Sequence, residues 1–221
     1  MNMAGVAYTP AEVGANKSIS IEPYSAYSAT VISNLSVTSG IYASLIGRFS
    51  GHNLLVKGIT IQGANLTGTN NTDGEYSAGG IVGWCEGHAA SSSLLIEDCV
   101  IRNSTFGPTK YVGGIVGYQA GNSVTIKNCT VTYCTLKSDY LEGAFYKGHC
   151  GGLVGYLSDG LMPSGTITHN TFTTHFSSGY ERGGLVVGSF QAGAITSSAM
   201  TISSNTGLSA NCGVVNNGTW N

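Results

Sequence analysis

Charge is scarce in this chain. Lys and Arg total 9 and Asp and Glu 11 in 221 residues, leaving a formal net charge of −2. Nine scattered cations cannot build the basic face that a nucleic acid requires, so no nucleic-acid partner is expected. Long apolar runs are also missing. None approaches the ~18 residues of a membrane-spanning helix, and no membrane span is expected. Met1–Pro10 lacks the basic segment and apolar run of a secretory leader. Proline is limited to 4 residues. No C-x-x-C pair occurs among Cys85, Cys99, Cys129, Cys134, Cys150 and Cys212, which removes the usual zinc-ligand spacing. These thiols read as buried, stacked core residues. Cys99 and Cys129 fall one repeat apart, near enough for a disulfide.

Glycine is plentiful, at 33 residues, and Ser, Thr and Asn supply the polar surface. That composition suits strands and turns. A Gly-flanked apolar segment recurs as Gly79-Gly80-Ile81-Val82-Gly83, Gly113-Gly114-Ile115-Val116-Gly117 and Gly151-Gly152-Leu153-Val154-Gly155. A longer copy reads Gly183-Gly184-Leu185-Val186-Val187-Gly188, an early variant Ala43-Ser44-Leu45-Ile46-Gly47, and a last one Cys212-Gly213-Val214-Val215.

A second pattern follows each copy. It runs Val56-x-x-Ile59-x-Ile61, Ile96-x-x-Cys99-x-Ile101, Ile126-x-x-Cys129-x-Val131, Ile167-x-x-Asn170-x-Phe172 and Ile202-x-x-Asn205. Ile32-x-x-Leu35-x-Val37 reads as the copy preceding them. Leu66, Phe106 and Leu136 close three of the copies. Alternation at two residues, broken by one extra residue, describes a strand, a corner and another strand. No such repeat buries its apolar face alone, but stacking repeats does.

The expected fold is therefore all-β: a right-handed parallel β-helix, a solenoid of about five to six coils. The handedness follows from the right-handed preference of parallel crossovers. Residues 31–221 would carry the coils, with a long loop insertion at 136–149 and another loop at 65–78. Residues 1–30 would form an N-terminal cap or edge segment, since an open end must be blocked against further strand pairing. Lys57, Glu97 and Lys127 should stand in one outward column of alternating charge, and Cys99, Cys129, Asn170 and Asn205 in one inner column.

The Gly-Gly-Ile/Leu-Val-Gly segments and the Ile-x-Asn/Asp-Cys stretches that follow them resemble the GLUG repeat. The match covers roughly residues 32–206 and is best over Gly113–Val131 and Gly151–Phe172. That family occurs in large bacterial surface and secreted proteins, including adhesin-like ones. The resemblance implies a scaffold at the bacterial surface or outside the cell, part of a longer chain, with no catalytic residues to carry over.

Candidate sites are few. Trp84, Tyr118 and Tyr156 directly follow the Gly segments, with Arg48 before them and Phe190 after. Exposed, they would hold a sugar chain. Packed on one another, they would cover the corner, with an Arg–aromatic contact. The 136–149 insertion adds Tyr140 and Tyr146, beside Asp139, Glu142, Lys147 and His149. Hydrolysis or metal-dependent elimination of a polysaccharide needs converging carboxylates, and 4 Asp with 7 Glu supply few in register. Glu97 and Asp98 are adjacent, so alternation should point them apart. No catalytic residue, metal ligand set or cofactor is expected; His169 and His175 lack further ligands at usable spacing. Glycosylation sequons, at Asn34, Asn65, Asn70, Asn103, Asn128 and Asn217 among others, read as a chance product of composition.

The function expected is a non-catalytic adhesin-like module, extracellular or on a bacterial cell surface, binding a host or microbial glycan or a surface protein. The alternatives are a carbohydrate-active β-helix enzyme, either a polysaccharide lyase or a glycoside hydrolase, and a structural spacer.

Overall fold

The chain is described here by a computed structural model. The described residues are 1–23, 30–38, 40–68, 76–86, 93–120, 123–138, 141–142, 145–146, 148–158, 164–168, 171–176, 182–184, 186–190, 200–203 and 206–208. Among them every regular element is a strand. No helix there is long and apolar enough to cross a membrane.

Four parallel sheets account for nearly all of the strands. The first contains, in order, Ala11–Val13, Ile46–Phe49, Val82–Glu86, Val116–Ala120, Val154–Ser158 and Val187–Phe190. The second contains Ser18–Ile21, Asn53–Lys57, Ser93–Glu97, Ser123–Lys127, Ser164–Thr168 and Met200–Ser203. A third is built around Ile59–Gln62, Val100–Arg102 and Thr130–Leu136. The fourth holds the short strands Tyr42–Ala43, Ser77–Gly79, Tyr111–Gly113, His149–Gly151 and Arg182–Gly184. Neighbouring strands come from successive repeats. The segment before residue 30 supplies the outermost strands of the first two sheets.

Register is set by apolar columns. Val56, Ile96 and Ile126 stand side by side, as do Ile61, Ile101 and Val131. Leu66, Phe106 and Leu136 form a third row. All nine are fully buried. A slip of one residue would turn every such side chain outward, so the columns hold the pairing in place. On the outer face Glu97 lies between Lys57 and Lys127, 3.4 and 3.2 Å from their ammonium nitrogens, which realises the expected charge column. Pairs exposed to this degree contribute about 0–1 kcal/mol each.

Two columns of left-handed backbone make the corners. One is Gly58, Asp98 and Asn128; the other is Asn34, Gly63, Asn103 and Tyr133. The residue after each corner points inward. When it is Cys or Ser, its side chain hydrogen-bonds the carbonyl two residues earlier: Cys99 to Glu97, Ser104 to Arg102, Cys129 to Lys127 and Cys134 to Thr132. Each of these carbonyls also accepts a backbone N–H from the neighbouring repeat, so the side chain uses its second lone pair and ties the turn to the inside.

Tyr133 is anomalous. It holds φ 53° at a place where the other repeats use Asn or Gly, and it is 76 % exposed. A left-handed residue with a Cβ costs roughly 1–2 kcal/mol, and Asn bears this best. Tyr133→Asn should raise stability by about 1 kcal/mol, read as a higher urea midpoint with an unchanged slope.

Several expectations shift. Ile32 pairs with Ile61 and Val37 with Leu66, while Ile21 occupies the place of Val56. The Ile32-x-x-Leu35-x-Val37 stretch therefore stands one strand later than the repeat pattern places it, because the apolar spacing is similar on both sides of a corner. The fourth Gly segment starts at Gly184, which pairs with Gly151 while Val187 pairs with Val154. The insertion is not all loop. Leu136 and His149 belong to strands of the sheets, and between them Leu141–Glu142 pairs antiparallel with Phe145–Tyr146. Glu97 and Asp98 do not point apart. The left-handed turn at Asp98 breaks the alternation, and both carboxylates face Lys57. Asn170, Asn205, Cys212 and Gly213–Val215 lie outside the described residues.

Candidate functional site: an aromatic corner

The Gly segments form the tight corner between the fourth sheet and the first. A Cβ on Gly117 would stand 2.7 Å from the Gly83 carbonyl oxygen and 2.8 Å from that of Ala78. One on Gly113 would meet the Val116 oxygen at 1.9 Å. Backbone meets backbone here, and only glycine fits. The close approach brings together the outward residues on either side of the corner.

On one side Arg48, Trp84, Tyr118, Tyr156 and Ser189 are in register. On the other side the register runs Tyr42, Ser77, Tyr111, His149 and Arg182. Trp84 stacks on Tyr118 with ring centroids 3.7 Å apart and planes 9° from parallel. Tyr118 stacks on Tyr156 at 5.6 Å and 10°. Tyr111 stacks on His149 at 5.4 Å, and lies 5.1 Å from Tyr118 and 5.0 Å from Tyr156. Tyr42 leans on Trp84 at 5.7 Å. The Lys110 ammonium sits 5.2 Å from the Tyr111 centroid. Such pairs contribute about 0.5–1.5 kcal/mol each beyond area burial.

Trp84, Tyr42 and His149 are buried, while Tyr111, Tyr118 and Tyr156 are half-buried. The structure thus brings together three of the five expected binding residues. Tyr146 lies in the antiparallel pair, and Tyr140 falls outside the described residues. Phe190 is not in the column. It pairs with Leu157, and Ser189, the residue directly after Gly188, takes the place beside Tyr156. Arg48 binds the Glu86 carboxylate, which also accepts from Trp84 Nε1 at 3.1 Å. Tyr42, Tyr111 and His149 were not expected at this site. Tyr111 and His149 each stand two residues before the first Gly of a segment, and that shared offset was the available signal.

The carboxylates offer little for catalysis. Glu86 is held by Arg48 and Trp84, and Glu97 by two lysines. Among the described residues no group of three or more His, Cys, Asp or Glu is placed to hold a metal ion. A separate polar depression of about 430 Å³ is lined by Asn2, Ser33, Asn34, Gln62, Gly63 and Asn103.

The described cysteines are buried thiols, not joined in disulfides. Burial, partly offset by a hydrogen bond with Gln119, pushes the Cys85 thiol up to about 12. Burial raises Cys134 to about 11. The hydrogen bond with Cys99, together with burial, raises Cys129. Iodoacetamide at neutral pH should leave Cys85, Cys129 and Cys134 unmodified in the folded protein and label them in denaturant, as peptide mass spectrometry would read. The thiol in an unfolded chain titrates at about 8.5. The contribution of Cys85 and Cys134 to stability should therefore be level below that pH and fall as pH rises toward 11–12, because the unfolded state releases their protons first.

Compared with family models, curated proteins and solved structures, the chain matches none.

Proposed function

We propose that this chain is a right-handed parallel β-helix, a solenoid of about five to six coils, acting as a non-catalytic module outside the cell or at a bacterial surface. It binds a glycan chain or surface protein of a host or neighbouring microbe along its aromatic corner. The observation that carries this reading is the cluster of Tyr111, Tyr118 and Tyr156, half-buried at one corner of two successive repeats. Half-buried tyrosines present an apolar ring edge and a hydroxyl together, the combination that contact surfaces favour. The GLUG-like motifs point the same way, toward a surface scaffold. The engagement of Glu86 and Glu97 by cations favours binding over hydrolysis or elimination.

The test is a glycan array, run with a panel of surface proteins, using the chain and a Tyr118→Ser/Tyr156→Ser variant. Circular dichroism checks that the variant keeps its strands. Binding by the parent, lost in a folded variant, is the expected result. Binding that survives in the variant contradicts the assignment to the aromatic corner. Release of oligosaccharides from mixed polysaccharides contradicts the non-catalytic reading. No binding to any probe leaves the spacer role as the better account.

A further inference from the structure

The same corner holds an arrangement with chemistry of its own, independent of any ligand. Tyr111, Tyr118 and Tyr156 form a triangle with ring centroids 5.1, 5.0 and 5.6 Å apart. Tyr111 and Tyr118 belong to one repeat and Tyr156 to the next. We propose that this triad is an oxidative cross-linking site, at which Tyr156 is joined by a carbon–carbon bond to Tyr118 or Tyr111, stapling two successive repeats covalently.

The reaction takes hydrogen peroxide and a haem peroxidase as oxidant. Each of two tyrosines gives up one electron and its phenolic proton, forming a phenoxyl radical. The radicals couple through ring carbons next to the oxygens. The two hydrogens on those carbons move to the oxygens, restoring both phenols. Hydrogen peroxide takes up the two electrons and two protons and leaves as two waters.

Three features favour this site. The rings are half-buried, so an oxidant reaches an edge and the protons reach water. Tyr118 and Tyr156 are held on adjacent strands and Tyr111 faces both across the corner, so a second radical forms within contact distance, the advantage of a reaction made intramolecular. Rotation about the Cβ–Cγ bond, a soft torsion, brings ring edges together without moving the backbone. Trp84, stacked 3.7 Å from Tyr118, adds a further oxidisable ring to the same stack. Tyr133 provides the contrast. At 76 % exposure it is open to the oxidant, and among the described residues it has no ring neighbour.

The experiment treats the full chain with horseradish peroxidase and hydrogen peroxide at several protein concentrations. Dityrosine fluorescence is read and a tryptic digest is analysed by mass spectrometry. The expected product joins the peptide 111–127 to the peptide 148–182, with the mass of the two less two hydrogens. Its yield per chain does not change on dilution. Tyr156→Phe, which keeps the ring, removes it, and Tyr133→Phe does not. Dityrosine that appears only between chains and grows with protein concentration would overturn the proposal. A link that runs through Tyr133, or none at all, would do the same.

Discussion

Gly113→Ala should destabilise the protein by about 3 kcal/mol or more, at or beyond the upper end of what overpacking a close-packed interior costs. The added methyl would stand 1.9 Å from the Val116 oxygen, 2.7 Å from the Gly155 nitrogen and 2.8 Å from the Leu153 oxygen. All three are backbone atoms in strands or corners of the sheets, so no rotamer change relieves the contact. Two sheets would have to separate locally, which would disturb the aromatic corner as well. Gly14→Ala is the control. Nothing lies within 4 Å of its added Cβ. That change should be neutral, or stabilising by up to about 1 kcal/mol through the unfolded chain. Urea midpoints of the two variants give the comparison. Equal midpoints would mean that the Gly segments are permissive turns rather than points of close approach.

Phe106→Ala should cost about 3–5 kcal/mol. The ring is fully buried and stands in register between Leu66 and Leu136. Its removal leaves a void between two fixed strands. The strands on either side are held by their own ladders, so the cavity cannot collapse fully, and the larger part of the range applies. Phe106→Leu, which continues the Leu66–Leu136 row, should recover most of the loss. A small effect from the alanine variant would mean that this row is not packed as one column.

The parts of the fold that could be read directly are those where one physical demand dominates. Alternating apolar residues have to face inward, so the Val56, Ile96 and Ile126 column and its partners were legible from spacing alone. The Gly segments were legible as repeats, but their purpose was not. Only the distance between backbones shows that Gly113 and Gly117 permit two sheets to touch. Corners defeated simple alternation. A single left-handed residue reverses the pattern, which is why Asp98 faces Lys57 beside Glu97 and why Ile32 stands beside Ile61 rather than Val56. The same corners explain three of the sequons better than chance does. Asn34, Asn103 and Asn128 take the left-handed position, the next residue points inward, and an outward Ser or Thr begins the following strand.

The candidate site was legible in one column only. Trp84, Tyr118 and Tyr156 share an obvious offset from the Gly segments. Tyr111 and His149 share an offset of their own on the other side of the corner, but that offset marks a second column without showing that it touches the first. Stacking also decides how the site meets its surroundings. Trp84, Tyr118 and Tyr156 stack face to face, so the rings do not stand as open aromatic platforms.

Both the binding reading and the cross-linking site require successive repeats to lie side by side in register. The most direct measurement introduces cysteine pairs on the outward face of the second sheet and asks which of them form disulfides. Leu95 and Thr125 are register partners and both are partly exposed. Neighbouring strands lie about 4.8 Å apart, inside the Cα range a disulfide tolerates. Leu95→Cys/Thr125→Cys should oxidise readily to an intrachain bridge. Leu95→Cys/Lys127→Cys, displaced by two residues along the strand, should not. A bridge in the displaced pair and none in the register pair would contradict the stacking on which the whole account rests.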